Sequence, residues 1–267
     1  IIELSDLAIQ KDPHNEKINR IKYFLSPYRY IAILVEDENY EHAIKELESL
    51  PSNCKNDNIV CGLMNISKLK LGASYLQNDN ITNHMARTEK LWNECQIMNN
   101  DLANSIIESA ALGAMKKFKA ESKIDVGICA GELALKFDRD CKDVKDFLSI
   151  LFNDRGVSKW NSGLTDFSVN GGIFDMEKAL EFNNDNVRAK KNLSIMYSLL
   201  GWKYIRQKDR QDDIKDKFDK ALELDKDNED AKKGLSIYFN DLGISCGNAE
   251  RKEEAANCFL WALHYAP

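Results

Sequence analysis

The chain has 267 residues, of which 43% are hydrophobic and 30% are charged, so it has enough apolar side chains to form a large core. Its formal net charge of −6 and isoelectric point of about 5.4 exclude the strongly basic surface by which many proteins bind nucleic acids or anionic membranes. There is no run of about 18 apolar residues, so the sequence predicts no membrane-spanning helix.

The second half of the sequence contains three aligned copies of one 23-residue segment. The copies run from Ala134 to Gly156, from Ala179 to Gly201 and from Ala221 to Gly243. The third copy is identical to each of the other two at 13 of the 23 positions, which indicates internal duplication. Repeats of this length are typical of solenoids, in which each unit buries its apolar side against its neighbours.

The repeats resemble those of the tetratricopeptide family. The last repeat has the small, aromatic and proline residues of the family pattern at the expected offsets: Leu242-Gly243, Ala255, Phe259, Ala262 and Pro267. The resemblance implies an all-α protein, a right-handed α-solenoid of stacked helix-turn-helix repeats.

In chain order, the pattern predicts a leading half-repeat at residues 1–14 and then six helix pairs. The approximate bounds of these pairs are 15–55, 56–98, 99–139, 140–184, 185–226 and 227–267. The position at which the two helices of a pair should approach closely recurs every 41 to 45 residues, at Ile31, Gly72, Gly113, Gly156, Gly201 and Gly243. We therefore expect one solenoid domain, residues 1–267, that forms part of a larger protein.

The period is about seven residues longer than the usual 34 of the family. Seven residues make almost two helical turns, so the extra length should lengthen helices and keep the same side facing inward. Asp185-Asn186 and Asp227-Asn228 precede apolar-periodic segments and lie where helix caps are expected. The segment Asn170-Gly171-Gly172 is predicted to lie in a loop within one pair.

No local enzyme signature is present. The sequence has four histidines but no H-E-x-x-H, G-x-S-x-G or phosphate-loop motif, so we predict no catalytic residue and no cofactor. The acidic run 225–230 lacks the glycine and the glutamate of a calcium loop and reads as a helix cap, so no metal site is predicted. Seven cysteines without a C-x-x-C pair favour buried thiols over a disulfide framework, which suggests a cytoplasmic protein.

The resemblance also implies a binding groove, because in that family the first helices of the repeats line a concave surface. Carried onto this sequence, the groove positions of the last three repeats include aliphatic, tryptophan, amide and charged side chains: Ile150, Asn153, Asp154, Val157, Trp160, Ile195, Leu199, Trp202, Arg206, Ile237, Asn240 and Asp241. The second and third pairs contribute Leu69, Lys70, Ile107, Lys117 and Phe118.

The groove residues leave two interpretations open. Trp160 and Trp202 could form pockets for the side chains of a ligand, or the lengthened helices could turn them into the core. If the groove is open, Asp154 and Asp241 favour a neutral or basic, partly apolar ligand.

The sequence thus predicts a non-enzymatic scaffold that binds a peptide segment or a partner protein, with no nucleic acid or membrane as partner. One alternative is the regulatory or substrate-positioning arm of a larger enzyme, signalling or chaperone protein. Another is a purely structural spacer or oligomerisation module, which would bind no ligand and would form a homo-oligomer. An intrinsic enzyme is the least favoured hypothesis.

Overall fold

A computed structural model describes residues 28–78, 81–95, 100–163, 166–207 and 211–266, together with Lys11. Every regular element in these ranges is helical, which confirms the predicted all-α class. The chain divides into two compact units, Ile1–Val144 and Lys145–Pro267. The half-repeat predicted at residues 1–14 lies outside the described residues except for Lys11, and the single continuous domain stays a prediction.

The first unit is built from stacked helix hairpins. Residues 28–36 are helical, and five helices follow: α1 (Tyr40–Ser49), α2 (Asn58–Leu76), α3 (Ile81–Glu94), α4 (Asn100–Ala120) and α5 (Ile124–Phe137). Helix α2 packs against α3, and α4 packs against α5. The two hairpins also contact each other, α2 against α4 and α3 against α5, so like helices lie side by side.

The second unit repeats this arrangement. Its helices are α6 (Lys142–Asn161), α7 (Asp166–Phe182), α8 (Val187–Gln207), α9 (Gln211–Leu224), α10 (Glu229–Asn248) and α11 (Lys252–Tyr265). Helices α8 and α9 form one hairpin, and α10 and α11 form the next. Contacts of α7 with α8, α9 with α10 and α8 with α10 join neighbouring hairpins. The predicted helix-turn-helix repeats are confirmed.

The extra residues of the long repeat lie in the first helix of each hairpin. Helices α2, α4, α6, α8 and α10 have 19 to 21 residues, whereas α3, α5, α9 and α11 have 14 and α7 has 17. The prediction that the insertion lengthens helices is therefore correct, and the first helix is the longer one in each of these pairs.

Neighbouring helices approach closely where an aromatic ring meets glycine. The side chain of Phe218 on α9 is fully buried between Gly201 on α8 and Gly234 on α10. A Cβ atom added to Gly201 would lie 2.8 Å from the Phe218 ring, and one added to Gly234 would lie 2.2 Å from it. One phenylalanine therefore closes its own hairpin and also joins it to the following hairpin.

Other hairpins use different side chains for the same contact. In the first unit Trp92 covers Gly72, and its indole Nε1–H donates a 3.2 Å hydrogen bond to the carbonyl of Leu69. Between α6 and α7, a Cβ atom on Gly156 would lie 2.9 Å from the carbonyl oxygen of Gly172. The prediction of a loop at Asn170-Gly171-Gly172 is therefore wrong. The segment is helical, and Gly172 allows the backbones of α6 and α7 to approach closely.

No disulfide links the seven cysteines, all of which lie within the described residues, and Cys95, Cys141 and Cys246 are buried. Burial raises the pKa of the Cys95 thiol to about 11. Among the described helices, none combines the length and apolar character that crossing a membrane requires.

Replacing Phe218 with Ala should lower the free energy of unfolding by about 3–5 kcal/mol, because it leaves a cavity between three helices. The matched control is Phe259→Ala at the same repeat position, where the ring is 38% exposed. The control should cost about 1–2 kcal/mol. Urea unfolding followed by circular dichroism measures both, and equal costs would contradict the joining role of Phe218.

Candidate partner-binding surface

Side-chain hydrogen bonds hold the first helices of the second unit next to one another. The amide of Asn192 on α8 donates to Asn153 Oδ1 on α6 at 2.9 Å. Asn186, which precedes α8, donates to the Ser149 hydroxyl on α6 at 2.8 Å. Its Oδ1 accepts from the backbone N–H of Ala189 at 3.0 Å, so the predicted cap at Asn186 is confirmed.

The same link recurs between α8 and α10. Asn228 Nδ2 donates to the Ser194 hydroxyl at 2.7 Å, and Asn228 Oδ1 accepts from the N–H of Ala231 at 3.0 Å. Between the neighbouring hairpins, the Tyr197 hydroxyl on α8 donates to a Glu177 carboxylate oxygen on α7. Burial, and then this carboxylate, raises the pKa of Tyr197. These bonds place α6, α8 and α10 side by side.

The sides of α6, α8 and α10 that carry the predicted groove positions are called here the first-helix face. Three aliphatic side chains on it are exposed, Ile150 by 37%, Ile195 by 44% and Leu199 by 41%. Ile244 on α10 is exposed as well. Val157 and Ile237 are half-buried. Exposed aliphatic groups on adjacent helices form the kind of apolar surface that marks interaction sites.

The two tryptophans whose orientation the sequence left open are each partly buried and partly exposed. Trp160 and Trp202 are half-buried and pack against the core of the second unit. The Trp202 ring meets Phe218 edge to face, with ring centroids 5.8 Å apart. The exposed part of each indole remains available at the surface, while the packed part fixes its orientation.

Asn153 differs from the other predicted groove residues. Its side chain is only 1% exposed and joins α6 to α8, so it supports the first-helix face and does not line it. In the first unit Leu69, Ile107 and Phe118 are likewise buried in the core. The family offsets predicted these side chains for the groove, and the structure places them in the core instead.

Charged and amide groups surround the aliphatic side chains. Asp154 on α6 accepts from the Asn153 amide at 3.1 Å and lies 3.8 Å from an Arg188 guanidinium nitrogen. Asn240 and Asp241 on α10 are exposed, and so is Arg206 on α8. The first-helix face therefore has carboxylates on its two outer helices and a basic residue on the middle one.

An open pocket of about 560 Å³ lies at one end of this face and was not predicted. It is lined by residues of the first half of α8 and by the turn that leads into α10: Val187, Lys190, Lys191, Ile195, Leu224, Asp225, Asp227, Asn228, Glu229 and Asp230. Only Ile195 belongs to both the pocket and the predicted groove. The other pocket residues lie in the N-terminal part of α8 and around the turn into α10, outside the positions that the family pattern assigns to the groove.

The described residues contain no group of three or more His, Cys, Asp or Glu side chains that could hold a metal ion. The groups exposed on the first-helix face are aliphatic side chains, parts of two indoles, amides and carboxylates.

No protein-family model and no curated protein matches this chain. Solved structures do match its fold. One is YrrB, described as a tetratricopeptide protein with an unusual peptide-binding site, at 16% identity, 85% coverage of this chain, 92% of that chain and a TM-score of 0.27. Another is BtubC from P. vanneervenii, at 16% identity, 90% coverage of both chains and a TM-score of 0.24. A third is human IFIT1 with m7Gppp-AAAA, at 15% identity, 85% and 55% coverage and a TM-score of 0.26.

Similarity at this level carries no argument about ligands. The class of protein follows from the chain itself: its helix hairpins repeat every 41 to 45 residues, and helices approach closely at one repeat position, at Gly72, Gly156, Gly201 and Gly243. The fold is a tetratricopeptide-like array of helical repeats.

The double variant Ile195→Gln with Leu199→Gln should change the free energy of unfolding by no more than about 0.5 kcal/mol, because both side chains are exposed. Asn153→Ala should cost about 1–3 kcal/mol, because it removes a buried acceptor of the Asn192 amide. Urea unfolding compares the two variants. A double variant as unstable as Asn153→Ala would place the aliphatic pair in the core.

Proposed function

We propose that this protein is an interaction scaffold that binds a peptide segment or a partner protein on the first-helix face of the residues 145–267 unit. The observation that carries the proposal is the set of exposed aliphatic side chains Ile150, Ile195, Leu199 and Ile244 on three adjacent helices. Such side chains gain free energy when a ligand removes them from water, at about 25 cal/mol per Å² of apolar surface.

A rigid surface supports binding because the ordering cost falls mainly on the ligand. The hydrogen bonds Asn153–Asn192 and Ser194–Asn228 hold the three helices in register before any ligand arrives. A preorganised surface loses little conformational entropy on association, so more of its contact energy contributes to affinity.

The polar groups of the face favour a neutral or basic, partly apolar ligand. Asp154 and Asp241 lie on the outer helices and can attract Lys or Arg side chains, while Asn240 can hydrogen-bond to an extended backbone. In this proposal the protein has no catalytic activity of its own, which agrees with the lack of local enzyme motifs in its sequence.

The test selects ligands from a random peptide library displayed on phage, with the whole chain as bait, and measures the affinity of synthetic hits by fluorescence polarisation. We expect hits with aliphatic or aromatic residues near Lys or Arg. Leu199→Asp and Asp241→Lys should each weaken binding by about tenfold or more, because a contact group is lost or reversed in charge.

Ile59→Asp is the matched control. Ile59 is an exposed aliphatic residue on α2, far along the chain from the first-helix face. This variant should bind the selected peptides as the unmodified protein does, with circular dichroism confirming that every variant is folded. Equal affinity for Leu199→Asp, Asp241→Lys and the unmodified protein would refute the assignment of the face.

A further inference from the structure

The pocket beside Ile195 has a basic wall and an acidic wall, and we call it the charged pocket. The basic wall is the first half of α8, which contributes Lys190 and Lys191. The acidic wall is the turn from α9 into α10, with the carboxylates of Asp225, Asp227, Glu229 and Asp230. Other helices of the same unit precede and follow these elements along the chain. Groups of opposite charge therefore line one open volume of about 560 Å³.

The lysines of the basic wall are not paired with the acidic wall. Among the described residues, neither Lys190 nor Lys191 forms an ion pair or a side-chain hydrogen bond. Opposite charges that line one pocket without contact leave a gap between them. A ligand that carries both charges can fill this gap and pair with both walls.

The acidic wall has a negative potential. Lys232 on α10 pairs with Glu229 at 2.8 Å but does not line the pocket. The hydrogen bond to Glu229, and then the charges of Asp227 and Asp225, raise the pKa of the Lys232 ammonium group. The described lining of this wall contains carboxylates and no basic group, so it attracts a basic group of a ligand.

Hydrogen bonds fix the acidic wall against α8 before a ligand is present. Asn228 in the turn donates to the Ser194 hydroxyl on α8 at 2.7 Å, and Asp225 Oδ1 accepts from the backbone N–H of Asp227 at 3.1 Å. Three apolar side chains complete the lining: Val187, Ile195 and Leu224. The pocket is therefore preorganised, and its lining matches a ligand with apolar groups and charges of both signs.

We propose that the charged pocket binds a segment of a peptide ligand in which acidic and basic residues alternate. Successive side chains of an extended peptide point to opposite sides, so an alternating segment directs its acidic groups to one wall and its basic groups to the other. The acidic side chains pair with Lys190 and Lys191, and the basic side chains pair with the carboxylates of the turn.

This inference rests on the proposed function in one respect, because it takes the ligand to be a peptide. Ile195 belongs to both the charged pocket and the first-helix face, so one extended peptide can occupy both. A single solvent-exposed ion pair contributes little to affinity, so the order of several charges decides which peptide fits. The pocket thereby adds a charge pattern to the apolar preference of the face.

The probe is a short synthetic peptide in which two glutamates and two lysines alternate between terminal leucines. Its control has the same composition, but its glutamates are adjacent and so are its lysines, so each side of the extended chain carries both charges. Methyl signals of Val187 and Leu224 in nuclear magnetic resonance spectra of the whole protein report binding in the pocket. We expect saturable shifts of these signals, with the control bound about fivefold or more weakly.

A charge reversal of the basic wall tests the role of the lysines. Lys190→Glu with Lys191→Glu should weaken binding of the alternating peptide by about tenfold or more, because both walls are then acidic. The matched control is Lys45→Glu with Lys116→Glu, which makes the same change in net charge at exposed lysines of α1 and α4. This control should bind the peptide as the unmodified protein does, with circular dichroism confirming that both variants are folded.

Leu199→Asp separates the charged pocket from the first-helix face. It should leave the shifts of Val187 and Leu224 unchanged, while it weakens the peptides selected for the face. Loss of the selected peptides with unchanged pocket shifts would support the charged pocket independently of the face.

The inference is overturned if the alternating peptide leaves the Val187 and Leu224 signals unchanged. It is also overturned if the control peptide binds equally well, since the order of charges would then not matter. Equal binding by the two lysine double variants would show that only the net charge of the protein attracts the peptide, which contradicts the assignment to Lys190 and Lys191.

Discussion

Contact between an aromatic ring and a glycine backbone is the interaction on which the repeats of the second unit depend. Phe218 lies against Gly201 within its hairpin and against Gly234 of the following hairpin, so one ring fixes two helix–helix distances. A methyl group on either glycine would fall within 3 Å of the ring. Because each hairpin buries its apolar side only against neighbours, such shared residues make adjacent repeats cooperative.

Side-chain hydrogen bonds fix the register of the helices at these interfaces. An asparagine that caps one helix and donates to a serine of the preceding first helix satisfies backbone and side-chain groups in one step. Ser194 and Asn228 are both buried, so a helix shifted along its axis would leave them without partners. Apolar packing alone tolerates such shifts, and these hydrogen bonds select one register.

The lengthened first helices determine part of the exposed surface of the second unit. Their extra turns extend each helix at its N-terminal end, and on α8 these turns line part of the pocket beside Ile195. Asn192, in the N-terminal part of α8, donates to the buried Asn153 of α6. A longer repeat therefore changes both the extent of the exposed face and the residues that support it.

The sequence by itself determined the helical class, the duplicated hairpin and the position of two helix caps, at Asp185-Asn186 and Asp227-Asn228. Periodicity and local hydrogen bonding are properties of nearby residues, so they can be read along the chain. Only tertiary structure decided that Asn170-Gly171-Gly172 is helical, since its glycines serve the approach of α6 and not a turn. Tertiary structure also placed Asn153 and Phe118 inside and left Leu199 exposed, because burial depends on which distant helix covers each side chain.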